Sequence, residues 1–266
     1  MAVRAGRNPR HLNPGTVFEP PTAPAGKTFL PGPVLLLGAP GVGKGTQAQI
    51  LMADFAIPQI STGDILRQNI ASGTDLGLKA KSLIDKGILV DDELVQTMVG
   101  KRLTGHEDVL TGFILDGFPR TLGQATWLDA FLLKLRQNAP GTELEAQGIT
   151  LPVVAVNLVA DYNELLHRIT GRRTCPVCKS IYNIYSNPPK VAGRCDLEGA
   201  ALIQRPDDTE PVFAERMKTF EAQTAPVIEY YRRQNRFREV KADLPLAEVT
   251  SSIVSALHDL RSPAKP

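Results

Sequence analysis

The stretch VLLLGAPGVGKGT, residues 34–46, decides how the rest of the chain is read. Val34, Leu35, Leu36 and Leu37 form an unbroken apolar run bounded by turn residues, the pattern of a strand buried on both faces of a parallel sheet. Gly38, Gly41, Gly43 and Gly45 then free the backbone to wrap closely around a ligand, with successive N–H groups turned inward. Lys44 adds a positive point charge, and the residues from Thr46 begin a helix whose N-terminus favours an anion. The spacing is G-x-x-x-x-G-K in a strand–loop–helix setting, which is that of a phosphate-binding P-loop. One position departs from the general pattern. Gly45 follows the lysine, where a Ser or Thr hydroxyl would ligate magnesium, and the hydroxyl comes one residue later at Thr46. The ion is therefore expected to rest mainly on substrate phosphates and water, which suits a metal that sheds its hydration shell reluctantly.

Outward from this loop, strands and helices alternate. Short apolar runs at 57–60, 113–116, 153–159 and 237–240 read as strands, separated by helical patterns that end in a long helix over 211–234 and a closing helix over 247–260. The predicted fold is α/β: a P-loop fold with a five-stranded parallel sheet and helices on both faces. Residues 33–60, 91–170 and 209–266 are assigned to that core. Two insertions interrupt it. Residues 61–90 are helical, broken at Gly73, Gly77 and Gly87, and residues 171–208 read as a small β element. Ligands in such sheets bind beyond the carboxyl ends of the strands, where both the loop and Asp116 fall.

Composition narrows the function classes. Thirty basic residues against 28 acidic give a net charge of +2, too little for a field that would draw in nucleic acid or a membrane surface. No apolar run approaches the roughly 20 residues that span a bilayer. The three cysteines all lie between 175 and 195, which argues for a reducing compartment, hence the cytoplasm, rather than a disulfide framework. Residues 1–32 carry Arg4, Arg7, Arg10 and Lys27 against the single acid Glu19 and are rich in proline, so a mobile tail is expected. An Arg-rich, acid-poor leader also suits organelle targeting, but the prolines disfavour an amphipathic helix. A polar loop is expected over 137–150.

Cys175-Pro-Val-Cys178 and, after sixteen intervening residues, Cys195 with Glu198 have the spacing of two knuckles gripping one ion. Three thiolates and a carboxylate could complete a structural zinc site that staples a hairpin too small for a core of its own. Asp196 competes with Glu198 for the fourth place, and free thiols are the alternative. A zinc ribbon with Tyr182 and Tyr185 could instead bind nucleic acid, but the acids Asp196, Glu198, Asp207 and Asp208 and the lack of a basic run oppose that. Arg168 and Arg172 share a helix face at i and i+4, and Arg205 and Arg216 flank the far end of the insertion. Ordinary salt bridges to Asp161, Asp207 or Asp208 would account for them. The histidines at 11, 106, 167 and 258 fall in no motif.

Taken together, GAPGVGKGTQAQ, STGDILR, DGFPRT with Gln124, ITGRR and the YYR helix end resemble adenylate kinase, in its long-lid form, in order over residues 34–260. The resemblance implies reversible transfer of a phosphoryl group from ATP to AMP, with magnesium, by a monomer. It implies ATP contacts from Gly41, Val42, Gly43, Lys44, Gly45, Thr46, Ile181 and Tyr182. It implies AMP contacts from Thr62, Arg67, Leu89, Val90, Gly117 and Arg120, and from Gln124, which would recognise the adenine. Arg168, Arg172, Arg205 and Arg216 would surround the transferred phosphates, with Lys44 and Arg120 completing the catalytic set. Asp64 and Asp116 would hold magnesium through water, and metal-bearing lids occur in the family at this cysteine spacing. Residues 61–90 and 171–208 would close over AMP and ATP. No general base is required, because an acceptor phosphate with a second pKa of about 6 is already ionised. Another nucleoside monophosphate kinase, such as one using GTP, is the nearest alternative, followed by a P-loop hydrolase.

Overall fold

A computed structural model of the protein describes residues 31–105, 107–137 and 148–262. The expected tail, except for its last two residues, and most of the expected loop over 137–150 lie outside these residues. Strands β1 (Gly32–Gly38), β2 (Gln59–Ser61), β3 (Gly112–Asp116), β4 (Val154–Val159) and β7 (Phe237–Lys241) form one sheet in the order β2-β3-β1-β4-β7. All four pairings are parallel. Leu36 lies beside Asp116 and Gly38 beside Leu158, so the P-loop and the end of β3 emerge at the same edge.

The apolar runs are continuous because both faces of the sheet are covered. Leu35, Leu37, Phe113 and Leu115 point into one core, shared with α4 (Asp92–Thr104), α5 (Leu122–Gln137) and α8 (Ala225–Arg232). Val34, Leu36, Ile114 and Val156 point into the other, shared with α1 (Lys44–Phe55), α6 (Tyr162–Gly171), α7 (Glu210–Thr219) and α9 (Leu246–Arg261). Successive side chains alternate between faces, and every one of these positions is apolar. At the opposite edge, Arg261 donates to the carbonyls of Pro31, Pro33 and Pro152, tying the starts of β1 and β4 to the last helix. Among the described residues no helix is long and apolar enough to cross a membrane.

Two helical expectations are corrected. Gly77 does not break the insertion but lies inside α3 (Asp75–Asp85), which packs on α2 (Thr62–Ala71). A Cβ at Gly77 would sit 2.2 Å from the carbonyl oxygen of Asn69, so glycine permits close approach rather than a turn. The helix expected over 211–234 is continuous only through a π-turn, Phe220–Thr224, where Ala225 N–H reaches back to Phe220 O. Pro226 supplies the cause. It has no N–H, and its ring crowds the carbonyl four residues earlier, so the ladder slips by one.

The second insertion contains the antiparallel pair β5 (Arg172–Thr174) and β6 (Ile181–Asn183) and a satellite core of Cys175, Tyr182 and Cys195.

Candidate active site

The P-loop opens with Gly38 at φ 135°, followed by Gly41 at 86° and Gly43 at 101°, backbone states that L side chains rarely adopt. At Gly41 a Cβ would also strike Leu165 O at 2.9 Å, because helix α6 packs directly behind the loop. Lys44 is the first residue of α1, and its ammonium donates to Gly38 O at 2.7 Å and Ala39 O at 3.0 Å. Burial lowers its pKa to about 8, with Arg120, Arg216 and Arg172 adding to the effect and Asp116 opposing it. Asp116 ends β3 and accepts from Gln59 Nε2 at 3.1 Å. Burial pushes its carboxyl up, and neighbouring Lys44 pulls it back. A Cβ on Gly45 would stand 3.4 Å from Asp116 Oδ2, so this carboxylate occupies the ground in front of the residue where other P-loops carry a hydroxyl.

Immediately after β3, Gly117 turns the chain at φ 79°, and its carbonyl accepts from Thr62 Oγ1 at 2.9 Å and Arg120 Nε at 2.8 Å. Ser61 caps α2 by accepting from Asp64 N–H, which aims that helix's first turn at the same spot. Arg67 pairs with Asp64 at 2.5 Å. Burial alone would raise the Asp64 carboxyl, but the charge and hydrogen bonds of Arg67 hold it below its ordinary value. Thr62, Arg67, Leu89, Val90, Gly117, Arg120, Gln124 and Arg216 line one pocket, about 610 Å³ with its open solvent space included.

A larger cleft of about 2130 Å³, its solvent mouth included, carries Gly41, Val42, Gly43, Lys44, Gly45 and Thr46 on one wall. Arg168, Arg172, Arg205, Ile181 and residues of the second insertion line the other, and Asp64, Asp116, Arg67, Arg120 and Arg216 lie between. Arg168 donates to Glu164 Oε1 at 2.7 Å. Arg172 grips Asp208, which is fully buried, and Arg216 donates to Asp207 Oδ2 at 2.9 Å. Salt bridging and cleft lining therefore coincide in the same arginines. Asp161 takes no part, because it caps α6. Burial and mutual repulsion depress the guanidinium groups of Arg205 and Arg216 to about 10, so the cluster is short of negative charge.

Tyr182 lines the cleft beside Ile181, as expected of it. Its ring is buried in the satellite core. Its hydroxyl accepts from Asp196 N at 2.9 Å and lies 3.5 Å from Cys195 Sγ. The thiols of Cys175, Cys178 and Cys195 lie within 4.8 Å of one another, while the exposed Glu198 carboxylate stands outside that group. Burial would raise the Cys195 thiol, but hydrogen bonds from Tyr182, the N–H groups of Glu198 and Leu197, and Cys178 bring it down to about 6. That favours the thiolate a metal needs.

Sequence reasoning passed over Asp92 and Thr121 and saw Asp207 and Asp208 only as salt-bridge partners. Asp92 acts through Thr121 and Gln124, and Asp208 through Arg172, partners 29 to 36 positions away, so no local spacing reveals them. The one available signal was position, since Asp92 and Thr121 stand next to recognisable cap and loop motifs.

The comparisons agree with this geometry. The adenylate kinase family profile matches residues 36–236. Adenylate kinase of Desulforudis audaxviator (strain MP104C) is 44% identical over 224 residues, covering 84% of this chain and 98% of its own. That of Thermodesulfovibrio yellowstonii (strain ATCC 51303 / DSM 11347 / YP87) is 43% identical over 225 residues, with 84% and 98% covered. That of Thermoanaerobacter sp. (strain X514) is 45% identical over 226 residues, with 85% and 98% covered. With its P-loop, the pocket between α2 and α5 and its arginine-lined cleft, the chain belongs to the adenylate kinase family.

Proposed function

We propose that the chain transfers the terminal phosphoryl group of ATP to AMP, reversibly and with magnesium, giving two ADP. The observation that carries this reading is that the P-loop and a second set of phosphate-binding cations, Arg67 and Arg120, line the same cleft on either side of Asp116 and Gly117. A hydrolase needs one phosphate site and room for water, whereas here an acceptor site stands in front of the donor.

Lys44 and the N–H groups of residues 41–46 bind the donor phosphates. Arg67 and Arg120 fix the acceptor phosphate by bidentate contacts, and Arg168, Arg172, Arg205 and Arg216 neutralise charge that spreads over the phosphoryl oxygens as the bond shifts. Thr62, Gly117, Leu89, Val90 and Gln124 hold the AMP nucleoside, and the backbone near Ile181 and Tyr182 covers ATP. Asp116 and Asp64 fit a hydrated magnesium ion, being carboxylates among cations with no protein hydroxyl at Gly45. Held there, the ion would neutralise phosphate charge. Residues 61–90 act as the AMP-binding insertion and 171–208 as a lid, closing over the core to exclude water.

The cysteine group fits structural zinc, with Glu198 as fourth ligand. Two backbone knuckles support it. Lys179 N–H bonds Cys175 O at 3.1 Å, and Gly199 N–H bonds Cys195 O at 2.8 Å. Lys179 and Gly199 share the left-handed conformation, at φ 60° and 65°. Counted from the first cysteine of each turn, Glu198 holds the third position on from Cys195, as Cys178 does from Cys175. Reduced thiols support the cytoplasm, and we take the protein to act as a monomer without nucleic-acid or membrane partners.

A coupled assay with a panel of donors and acceptors, with metal content measured on the same sample, tests the reading. ADP formation from ATP only with AMP present supports it. Use of UMP or CMP in place of AMP, a preference for GTP, or ATP loss without acceptor would overturn it.

A further inference from the structure

Gln124 is 2% exposed, and both ends of its amide are already held. Its Oε1 accepts the backbone N–H of Arg120 at 2.7 Å, and its Nε2 donates to Asp92 Oδ1 at 2.7 Å. The other carboxylate oxygen of Asp92 accepts from Thr121 Oγ1 at 2.6 Å, and Thr121 Oγ1 in turn accepts from Gln124 N–H at 3.1 Å. A backbone N–H can only donate and a carboxylate can only accept, so the amide has one permitted orientation. Turning it over would set N–H against N–H and oxygen against carboxylate, leaving buried groups unpaired. In the permitted orientation one Nε2 proton and one Oε1 lone pair remain for a ligand.

We propose that Asp92 is a positioning residue for base selection, locking the Gln124 amide so that it offers a donor to a purine N1 acceptor and an acceptor to a 6-amino group. This deepens the reading that Gln124 contacts the AMP base, and it rests on it. Hypoxanthine and guanine carry N1–H and a 6-oxo group, the opposite pattern, which a free amide would satisfy by turning over. Adenine-type acceptors are therefore selected by Asp92, which reaches the base only through Gln124. Because Asp92 sits on the first turn of α4 while Gln124 opens α5, the lock also joins the two helices that wall the pocket.

The experiment measures kcat and KM for AMP and for IMP, with ATP as donor, in the wild-type protein and in Asp92→Ala, Asp92→Asn and Gln124→Ala. Asp92→Ala is expected to lower the AMP-over-IMP ratio of kcat/KM at least tenfold while KM for ATP holds. Asp92→Asn, whose oxygen can still accept from Gln124 and whose amino group can donate to Thr121, is expected to restore most of the ratio. A structural role alone would lower thermal stability and cut activity with both acceptors by the same factor, and that result overturns the inference. The control separates the two readings. A changed ratio in Gln124→Ala with an unchanged one in Asp92→Ala removes Asp92 alone, whereas no change in Gln124→Ala removes base reading by Gln124 as well.

Discussion

Thr224 donates its hydroxyl proton to the backbone carbonyl of Arg120 at 2.9 Å, across 104 positions of sequence. The π-turn ahead of Pro226 places that threonine, and its carbonyl partner belongs to the arginine that lines both the pocket and the cleft. A backbone irregularity in the long helix thus steadies an active-site loop.

Thr224→Val keeps the side-chain shape and removes the donor, so the Arg120 carbonyl loses its partner. Loss of one buried hydrogen bond costs about 1–3 kcal/mol. The expected result is a lower denaturation midpoint together with a several-fold rise in KM for AMP and no change in KM for ATP. Steady-state kinetics beside urea unfolding reads both, and an unchanged AMP KM would detach Thr224 from the site.

Arg120→Ala should separate activity from stability. Burial, and then the charge of Arg67, lower the guanidinium pKa of Arg120, so its charge is held for binding at some cost to the empty fold. The variant is expected to lose about 10³-fold in kcat, in line with transition-state arginines elsewhere. Its melting temperature should stay level or rise. A variant with near-normal turnover would place Arg120 outside the reaction.

Lys44 predicts a pH dependence of definite sign. Its folded pKa of about 8 lies below the ordinary 10.5, so folding disfavours the ammonium form. In the free protein the Lys44 contribution to stability therefore rises as pH climbs from about 8 to about 10.5, and Lys44→Met should abolish that rise. Binding runs the other way, because donor phosphates need the charge. kcat/KM for ATP should fall above pH of about 8, while kcat, which reports the occupied site, should hold to higher pH. A kcat/KM profile flat to pH of about 10 would contradict this.

The zinc proposed for the cysteine group is open to direct measurement. Protein purified without chelators should carry about one zinc per chain, and Cys178→Ser should lose it. A ligand present at 1,000 times its Kd contributes about 4 kcal/mol, so loss of the ion should lower Tm by about 10 °C while reducing turnover far less. Zinc-free wild-type protein with unchanged Tm would leave the cluster as plain thiols. Glu198→Ala with metal retained would remove only the fourth ligand.

The order of strands and helices was legible in the sequence because burial on both faces writes itself as apolar runs, such as 34–37 and 113–115, and glycine and proline punctuate them. The P-loop was legible for the same local reason. Gly77 was misread because its requirement comes from a neighbouring helix, Asn69 on α2, and not from its own chain direction. Tyr182 was assigned to the cleft by resemblance alone, and the burial of its ring in the satellite core was decided by tertiary packing.

By itself, then, residues 34–46 determined a phosphate site, since closely spaced N–H groups, a lysine and a helix start are all set within one short stretch. What lies opposite that site was decided by tertiary structure. The pairing of Arg172 with Asp208, the hold of Thr224 on Arg120 and the clasp of Asp92 on Gln124 each join residues more than 30 positions apart. Such pairs form only where the sheet brings chain segments together, because a buried charge or amide must find its partner in space and not along the sequence.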